Sequence, residues 1–292
     1  MWGRQSRARW FVSRQSCLGY ASIVPSVSEI SRIVEKLVGR SVGRPSGTLS
    51  GHAAGLPFEK LVHQEVLNSF PKRTYRHFEL LNVVFESNPE SKSAVERNAL
   101  LGPPSLQFLL KRGVDATECW TVSSPFEEKQ NDTAETVILP LQGWKVEPLN
   151  NEPVVLLDVK TQNSEMNAQP PNIISARKMM QACRLVLEHS TECPFNFVYV
   201  GVKWREVGST LICTEVNVSS LLRVPPPELY INWAAALQIQ FHPATVSQDF
   251  EGSPMDWCAD FLETYALQLE RRLKRDNLEL AELKSFIANR RT

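Results

Sequence analysis

The chain has 292 residues, of which 42% are hydrophobic and 9% aromatic, enough apolar material for a packed core; this excludes a disordered chain, and 13 Gly with 19 Pro exclude a collagen-like one. No apolar run approaches the ~20 residues that span a bilayer, so no membrane partner is expected. The 32 Lys+Arg and 32 Asp+Glu sum to zero, but that zero averages two unlike regions.

Residues 1–25 carry Arg4, Arg7, Arg9 and Arg14 and no acid, which leaves 28 basic against 32 acidic groups in the rest. Rich in Arg, containing Ser, and interspersed with Trp2, Trp10, Phe11, Val12 and Leu18, this leader reads as a mitochondrial transit peptide. The alternative is a basic arm that touches nucleic acid. A secretory signal needs an unbroken apolar stretch, and the leader has none. On this reading the mature protein, residues 26–292, works in the mitochondrial matrix. Its six cysteines show neither CxxC nor zinc-finger spacing and are expected as reduced thiols.

Ordered structure is expected from Ser26, which forms a capping box with Glu29 ahead of Ile30, Ile33, Val34, Leu37 and Val38 at helical spacing, with Gly39 as the stop. A loop of small residues, Gly47 to Gly55, follows. A second helix is expected to start at Pro57, with Phe58, Leu61, Val62 and Val66 on one face and Pro71 ending it. Residues 76–112 read as polar helix. The apolar runs Val137-Ile138-Leu139 and Val154-Val155-Leu156-Leu157, separated by turn material, read as a hairpin. Residues 173–189 are expected to be helical, 195–204 and 211–218 to be strands, and Asp256 to Arg291 to be a long helix with seven acids and seven bases. At roughly 150 residues per domain two domains are allowed. Without a repeat or a low-complexity tract, one mixed α/β domain over 26–292 is the simplest organisation.

The segment that carries chemistry is Leu156-Leu157-Asp158-Val159-Lys160-Thr161. Alternate side chains of a strand share a face, so Asp158 and Lys160 point one way while Leu157 and Val159 face the core. Phosphodiester hydrolysis uses such a pair: carboxylates hold Mg²⁺, which stabilises charge on phosphoryl oxygens, and a nearby amine orients or deprotonates the attacking water. A second carboxylate is available on the preceding strand, from Glu135 or Asp132. The bland alternative is an Asp–Lys salt bridge that holds the strand end.

In this company the sequence resembles the type II restriction endonucleases of the HincII kind, relatives of EcoRV among the PD-(D/E)xK nucleases. The blocks that carry the resemblance run from about Ser46 to Trp257. They are Ser46 to Gly55 with Pro57 to Val62, Phe126 to Ala134, Leu156 to Thr161, Pro171 to Ala176, and Glu228 to Ala236 with Gln238 to His242. The resemblance implies a restriction-endonuclease-like core, a central mixed β-sheet flanked by helices. It implies a Mg²⁺-dependent homodimer that cuts double-stranded DNA at a specific site. Carried over, the family's metal site falls on Asp158 and the Val159 carbonyl, with Glu135 as first carboxylate and Lys160 as the catalytic amine. Gln169 and Asn172 resemble its minor-groove reader, and Tyr230, Asn232, Ala234 and Ala235 its major-groove reader, residue types suited to reading base edges. His52 is a further DNA-contact candidate. Each has a plainer reading: Asn172 as a helix N-cap, Tyr230-Ile231 with Trp233 as core, His52 as part of a tight turn.

The chain departs from the family where Glu135 stands in place of Asp, where the stretch between Glu135 and Asp158 is longer, and at Pro170 and Val114-Asp115 beside the readers. A Glu for Asp moves the carboxylate by more than ~1 Å, which catalysis feels where geometry is tight. A second function therefore stays open, a catalytically impaired nuclease fold that binds DNA or RNA in a mitochondrial nucleoprotein complex. An acidic body holds polyanions only through a local basic cleft and a divalent ion, so binding should fall with salt and rise with Mg²⁺.

Overall fold

In the computed structural model, residues 25–45, 52–76, 136–139, 153–166, 172–189, 192–233, 237–240, 246 and 248–291 are described. Elements are numbered over these residues. The expected polar helix beyond residue 76 and the leader lie outside them.

The entry to the fold is the capping box at Ser26. Its hydroxyl accepts from the Glu29 N–H at 3.2 Å, and the Glu29 carboxylate accepts from the Ser26 N–H at 2.8 Å, so two orphan donors of the first turn are satisfied together. Helix α1 (Val27–Val34) buries Ile30, Ile33 and Val34 and tightens into a 3₁₀ turn over Glu35–Leu37. Gly39 ends it at φ +83°, and its N–H donates to the Cys213 carbonyl at 2.9 Å. Strand β1 (Ser41–Gly43) follows.

Helix α2 (His52–Ser69) starts earlier than the sequence suggests, because His52 to Gly55 are its first turn and Pro57 lies inside it. Tertiary packing outweighs the low helix propensity of Gly here. A methyl group at Gly55 would collide with Thr161 Oγ1, so the bare Cα is what lets α2 lie down on the sheet.

The main sheet has six strands in the order β1, β7, β6, β4, β3, β2, with β2 at Thr74–Arg76, β3 at Thr136–Ile138, β4 at Val154–Asn163, β6 at Phe195–Val207 and β7 at Thr210–Ser220. Strands β4 and β6 pair parallel over ten residues, from Val154↔Phe195 to Asn163↔Trp204, and every other pairing is antiparallel. The expected hairpin partners β3 and β4 do pair, in the register Thr136↔Leu157. Strands β6 and β7 meet across a two-residue turn in which Gly208 takes φ +60°, a left-handed conformation such turns require.

Both faces of the sheet are covered. Val154 and Leu156 join Met179, Cys183, Trp257 and Phe261 on one side, whereas Val155, Leu157 and Val159 join Ile30, Leu37, Phe58 and Val62 on the other. This corrects the expectation that one face of β4 is core and the other is not, and it explains the unbroken Val-Val-Leu-Leu run, as expected for a doubly covered strand. The first core is closed by α3 (Ala176–His189) and α4 (Pro254–Arg291). Trp257 is fully buried there, donates Nε1–H to the Val224 carbonyl at 2.8 Å, and stacks on Phe261.

The expected helix over 173–189 is split, because Asn172–Ser175 form strand β5 and the helix begins at Ala176. The β-branched pair Ile173-Ile174 is buried in extended form, and strand β9 (Gln238–Gln240) provides the ladder partner; β8 (Tyr230–Asn232) completes a three-stranded sheet in the order β5, β9, β8. Asn172 is therefore a strand residue and not a helix cap. The four described cysteines, Cys183, Cys193, Cys213 and Cys258, are buried free thiols, as expected. No described helix is long and apolar enough to cross a membrane.

Gly55→Ala is expected to force α2 off Thr161 and to cost about 1–3 kcal/mol, as overpacking does. Thermal unfolding followed by circular dichroism should show the lowered midpoint, partly restored when Thr161→Ala is added. An unchanged midpoint would contradict the close approach.

Candidate active site

Asp158 stands where the apolar part of β4 ends. Following Val154 and Leu156 on the face toward α3 and α4, its side chain is 3% exposed. Lys160, two residues on and on the same face, places Nζ 3.1 Å from Asp158 Oδ1, with its own side chain 33% exposed. An ordinary surface ion pair keeps both heads in water and contributes about 0–1 kcal/mol. Here the carboxylate is sealed and the ammonium reaches outward, so desolvation of Asp158 is offset by a fixed neighbouring cation. The pair sits toward the carboxyl end of the parallel β4–β6 ladder, the usual place for ligands on open α/β sheets.

The parallel register puts Tyr199 beside Asp158 and Gly201 beside Lys160. Burial, and then the charge of Asp158, push the Tyr199 phenol well above its ordinary value of 10.0, so it stays a neutral hydroxyl. A Cβ at Gly201 would lie 2.7 Å from the Tyr199 hydroxyl; the glycine leaves the room in which the phenol runs along β6. Sequence reasoning missed both residues. Tyr-x-Gly beside Asp-x-Lys is a visible pattern, but only the strand register makes it a site.

A second polar feature lies on the opposite face of β4. Gly55, Glu59 and His63 recur every four residues along α2. The first lies against Thr161, and His63 Nδ1 is 3.2 Å from Thr136 Oγ1. Glu59 between them is 4% exposed. It was not singled out from sequence, although a carboxylate among Phe58, Leu61 and Val62 on an apolar helix face was the available signal.

The small sheet gathers the expected DNA-reading residues that are described. In register, Asn172 and Tyr230 flank Gln240 on its two sides, and Asn232 pairs with Gln238. Gln240 Nε2 donates to Asn172 Oδ1 at 2.6 Å. Ile231 and Ile239 turn to the core, whereas the alternate positions carry one polar face of Asn172, Tyr230, Asn232, Gln238 and Gln240. Tyr230 is 61% exposed, so it is not core, although its neighbour Ile231 is. Trp233 does pack on the core, with its ring 5.9 Å from Tyr265. The buried amides of Gln238 and Gln240 were not anticipated, and Gln240 sets the orientation of Asn172. Glu135, Gln169, Ala234 and Ala235 lie outside the described residues, as does the side chain of His52, whose backbone opens α2.

The Asp158 carboxylate and the main-chain carbonyl of Val159 are hard oxygen donors of the kind Mg²⁺ takes. Among the described residues no group of three or more His, Cys, Asp or Glu converges on one point. The described part of the site thus provides two oxygen donors, the buried Asp158 carboxylate and the Val159 carbonyl, which suit a hard divalent ion once a second carboxylate joins them, with the Lys160 ammonium beside them.

The sequence model of the family described as Restriction endonuclease HincII matches residues 33–284. Two proteins of Haemophilus influenzae, Type II restriction enzyme HindII and Type II restriction enzyme HincII, are each 41% identical to the chain over 226 residues, covering 77% of this chain and 84% of their own length.

Proposed function

The chain belongs to the HincII restriction endonuclease family, and we propose that it hydrolyses phosphodiester bonds of duplex DNA at a specific sequence in a Mg²⁺-dependent reaction. The observation that carries this reading is the buried Asp158 carboxylate with Lys160 Nζ at 3.1 Å. A chain that only bound nucleic acid would gain nothing from a sealed carboxylate near phosphates, because like charges repel. A cation bound between them turns that liability into attraction, which favours the hydrolase over the impaired, purely binding alternative.

Asp158, Glu135 and the Val159 carbonyl would hold the ion. Glu135 immediately precedes Thr136, whose ladder partner Leu157 immediately precedes Asp158, which supports Glu135 over Asp132 as the second carboxylate. Bound there, Mg²⁺ supplies charge stabilisation to the phosphoryl oxygens. Lys160 orients the attacking water from the solvent side of Asp158. The Tyr199 hydroxyl, kept neutral, adds no charge that would oppose the substrate.

Sequence is read from the small sheet, with Asn172, Tyr230 and Asn232 contacting bases. Gln169, Ala234, Ala235 and His52 complete the reader, and amide side chains suit adenine and guanine edges. Two copies related by a two-fold axis each cut one strand of a symmetric site.

The full chain with Mg²⁺ is expected to cut duplex DNA at discrete positions, and a chelator to stop it. Lys160→Ala and Asp158→Ala should lower the rate by at least about 10²–10³, the usual cost of losing one such group, with unchanged far-ultraviolet circular dichroism. Cleavage indifferent to Lys160 would sink the assignment. We also propose, from the composition of residues 1–25, that the leader directs import to the mitochondrial matrix. Those residues fused to a fluorescent protein should carry it to mitochondria, and a diffuse signal would remove the proposal.

A further inference from the structure

The central strand of the small sheet holds one side chain in a fixed place. Strand β9 has a ladder partner on each side, β5 and β8, and its two amides, Gln238 and Gln240, are only 4% and 6% exposed. The β5–β9 ladder is irregular in two respects. Leu237, which leads into β9, takes φ +56°, a left-handed conformation that bulky side chains disfavour, and its carbonyl accepts from the Ala176 N–H at 2.6 Å. The register of β5 on β9 shifts between Asn172 and Ser175, and an irregularity of this kind re-aims a side chain. Strain persists only where the surroundings impose it, and here it accompanies the placement of Gln240 opposite Asn172.

The contact between these two amides has a direction. Gln240 Nε2 donates to Asn172 Oδ1 at 2.6 Å. An Asn side chain carries one carbonyl oxygen and one NH₂ group, an acceptor and two donors on opposite edges of the amide. Asn172 is exposed at the start of β5, so with Oδ1 engaged by Gln240 the edge it offers outward is the NH₂. A half-turn of the Asn172 amide would set two NH₂ groups against each other and leave a donor of the buried Gln240 unsatisfied, which costs more than a typical hydrogen bond contributes.

We propose that Gln240 is a positioning residue for sequence discrimination: it commits Asn172 to meet base edges as a donor only, so that a base presenting an exocyclic amino group to Asn172 is rejected. An asparagine without such a partner serves either kind of edge, because its amide turns to suit the base. The rejected amines are adenine N6 and cytosine N4 in the major groove and guanine N2 in the minor groove. Two N–H groups aimed at each other leave both unpaired, and a site committed to one hydrogen-bonding pattern discriminates strongly against the other. This role rests on the small sheet being the DNA reader, as proposed above, and adds the kind of group that is read and the residue that imposes it.

The test reads binding and not cleavage. The full chain is mixed with random-sequence duplexes in Ca²⁺, the bound fraction is sequenced, and the base position at which Asn172→Ala loses preference identifies the one that Asn172 reads. At that position Gln240→Met, close in volume but without a donor, is expected to relax discrimination at least about tenfold, or about 1.4 kcal/mol. Adding Gln240→Met to Asn172→Ala should change that position no further. With the wild-type chain, replacing the rejected base by its analogue without the exocyclic amine (inosine for guanine, purine for adenine or pyrimidinone for cytosine) should recover binding by a similar factor, and this arm needs no substitution at Gln240. A wild type that enriches no sequence, or one whose preferences Asn172→Ala leaves intact, overturns the reading role of the small sheet and the role of Gln240 with it. Discrimination that survives in Gln240→Met, or a loss spread evenly over all positions, overturns the positioning role alone. A wild type that requires the amine, or that gains nothing from its removal, overturns the donor assignment.

Discussion

A carboxylate kept out of water beside an ammonium is the constraint on which the site depends. Asp158 alone at 2% exposure would be strongly unfavourable, because removing an ion from water costs several kcal/mol even after relaxation. Lys160 offsets this from two residues away on the same strand face, and the neutral Tyr199 beside it adds no opposing charge. Such an arrangement needs a backbone that cannot shift. The ten-residue parallel ladder of β4 with β6, covered by helices on both faces, provides it.

On the proposed reading the two sheets divide the work. The large sheet holds the charged pair on a buried strand, and the small sheet offers a polar face in which Gln240, between β5 and β8, fixes Asn172. They meet through one core, since Ile231 and Ile239 pack in the same cluster as Leu156 and Tyr199. Displacement of the small sheet would therefore be felt at Asp158. A rigid path of this kind suits an enzyme in which recognition and hydrolysis must stay in register, since misplacement by 1 Å can cost about 10²-fold in rate.

Much of this was legible in the sequence where local rules govern. The Ser26–Glu29 box, the β3–β4 pairing, strands β6 and β7 and the terminal helix all follow from capping chemistry and periodicity. The errors fall where tertiary contact overrides local preference. His52 to Gly55 form a helical turn because Gly55 meets Thr161, and Asn172 to Ser175 extend because β9 is there to pair with them. The Asp-x-Lys pattern marked the candidate site, whereas Tyr199, Gly201, Glu59 and Gln240 acquire meaning only from register and burial. Strand pairing between segments distant in sequence is invisible to a reading of periodicity.

The central claim is that the buried Asp158 carboxylate is one half of a divalent metal site and not merely one half of a salt bridge. Isothermal titration of the full chain with Ca²⁺, which fills such oxygen sites, tests this most directly when compared with Asp158→Asn. Saturable binding in the wild type that is lost in the variant is the predicted result. Identical heats in the two proteins would contradict it and leave Asp158 and Lys160 as a structural ion pair.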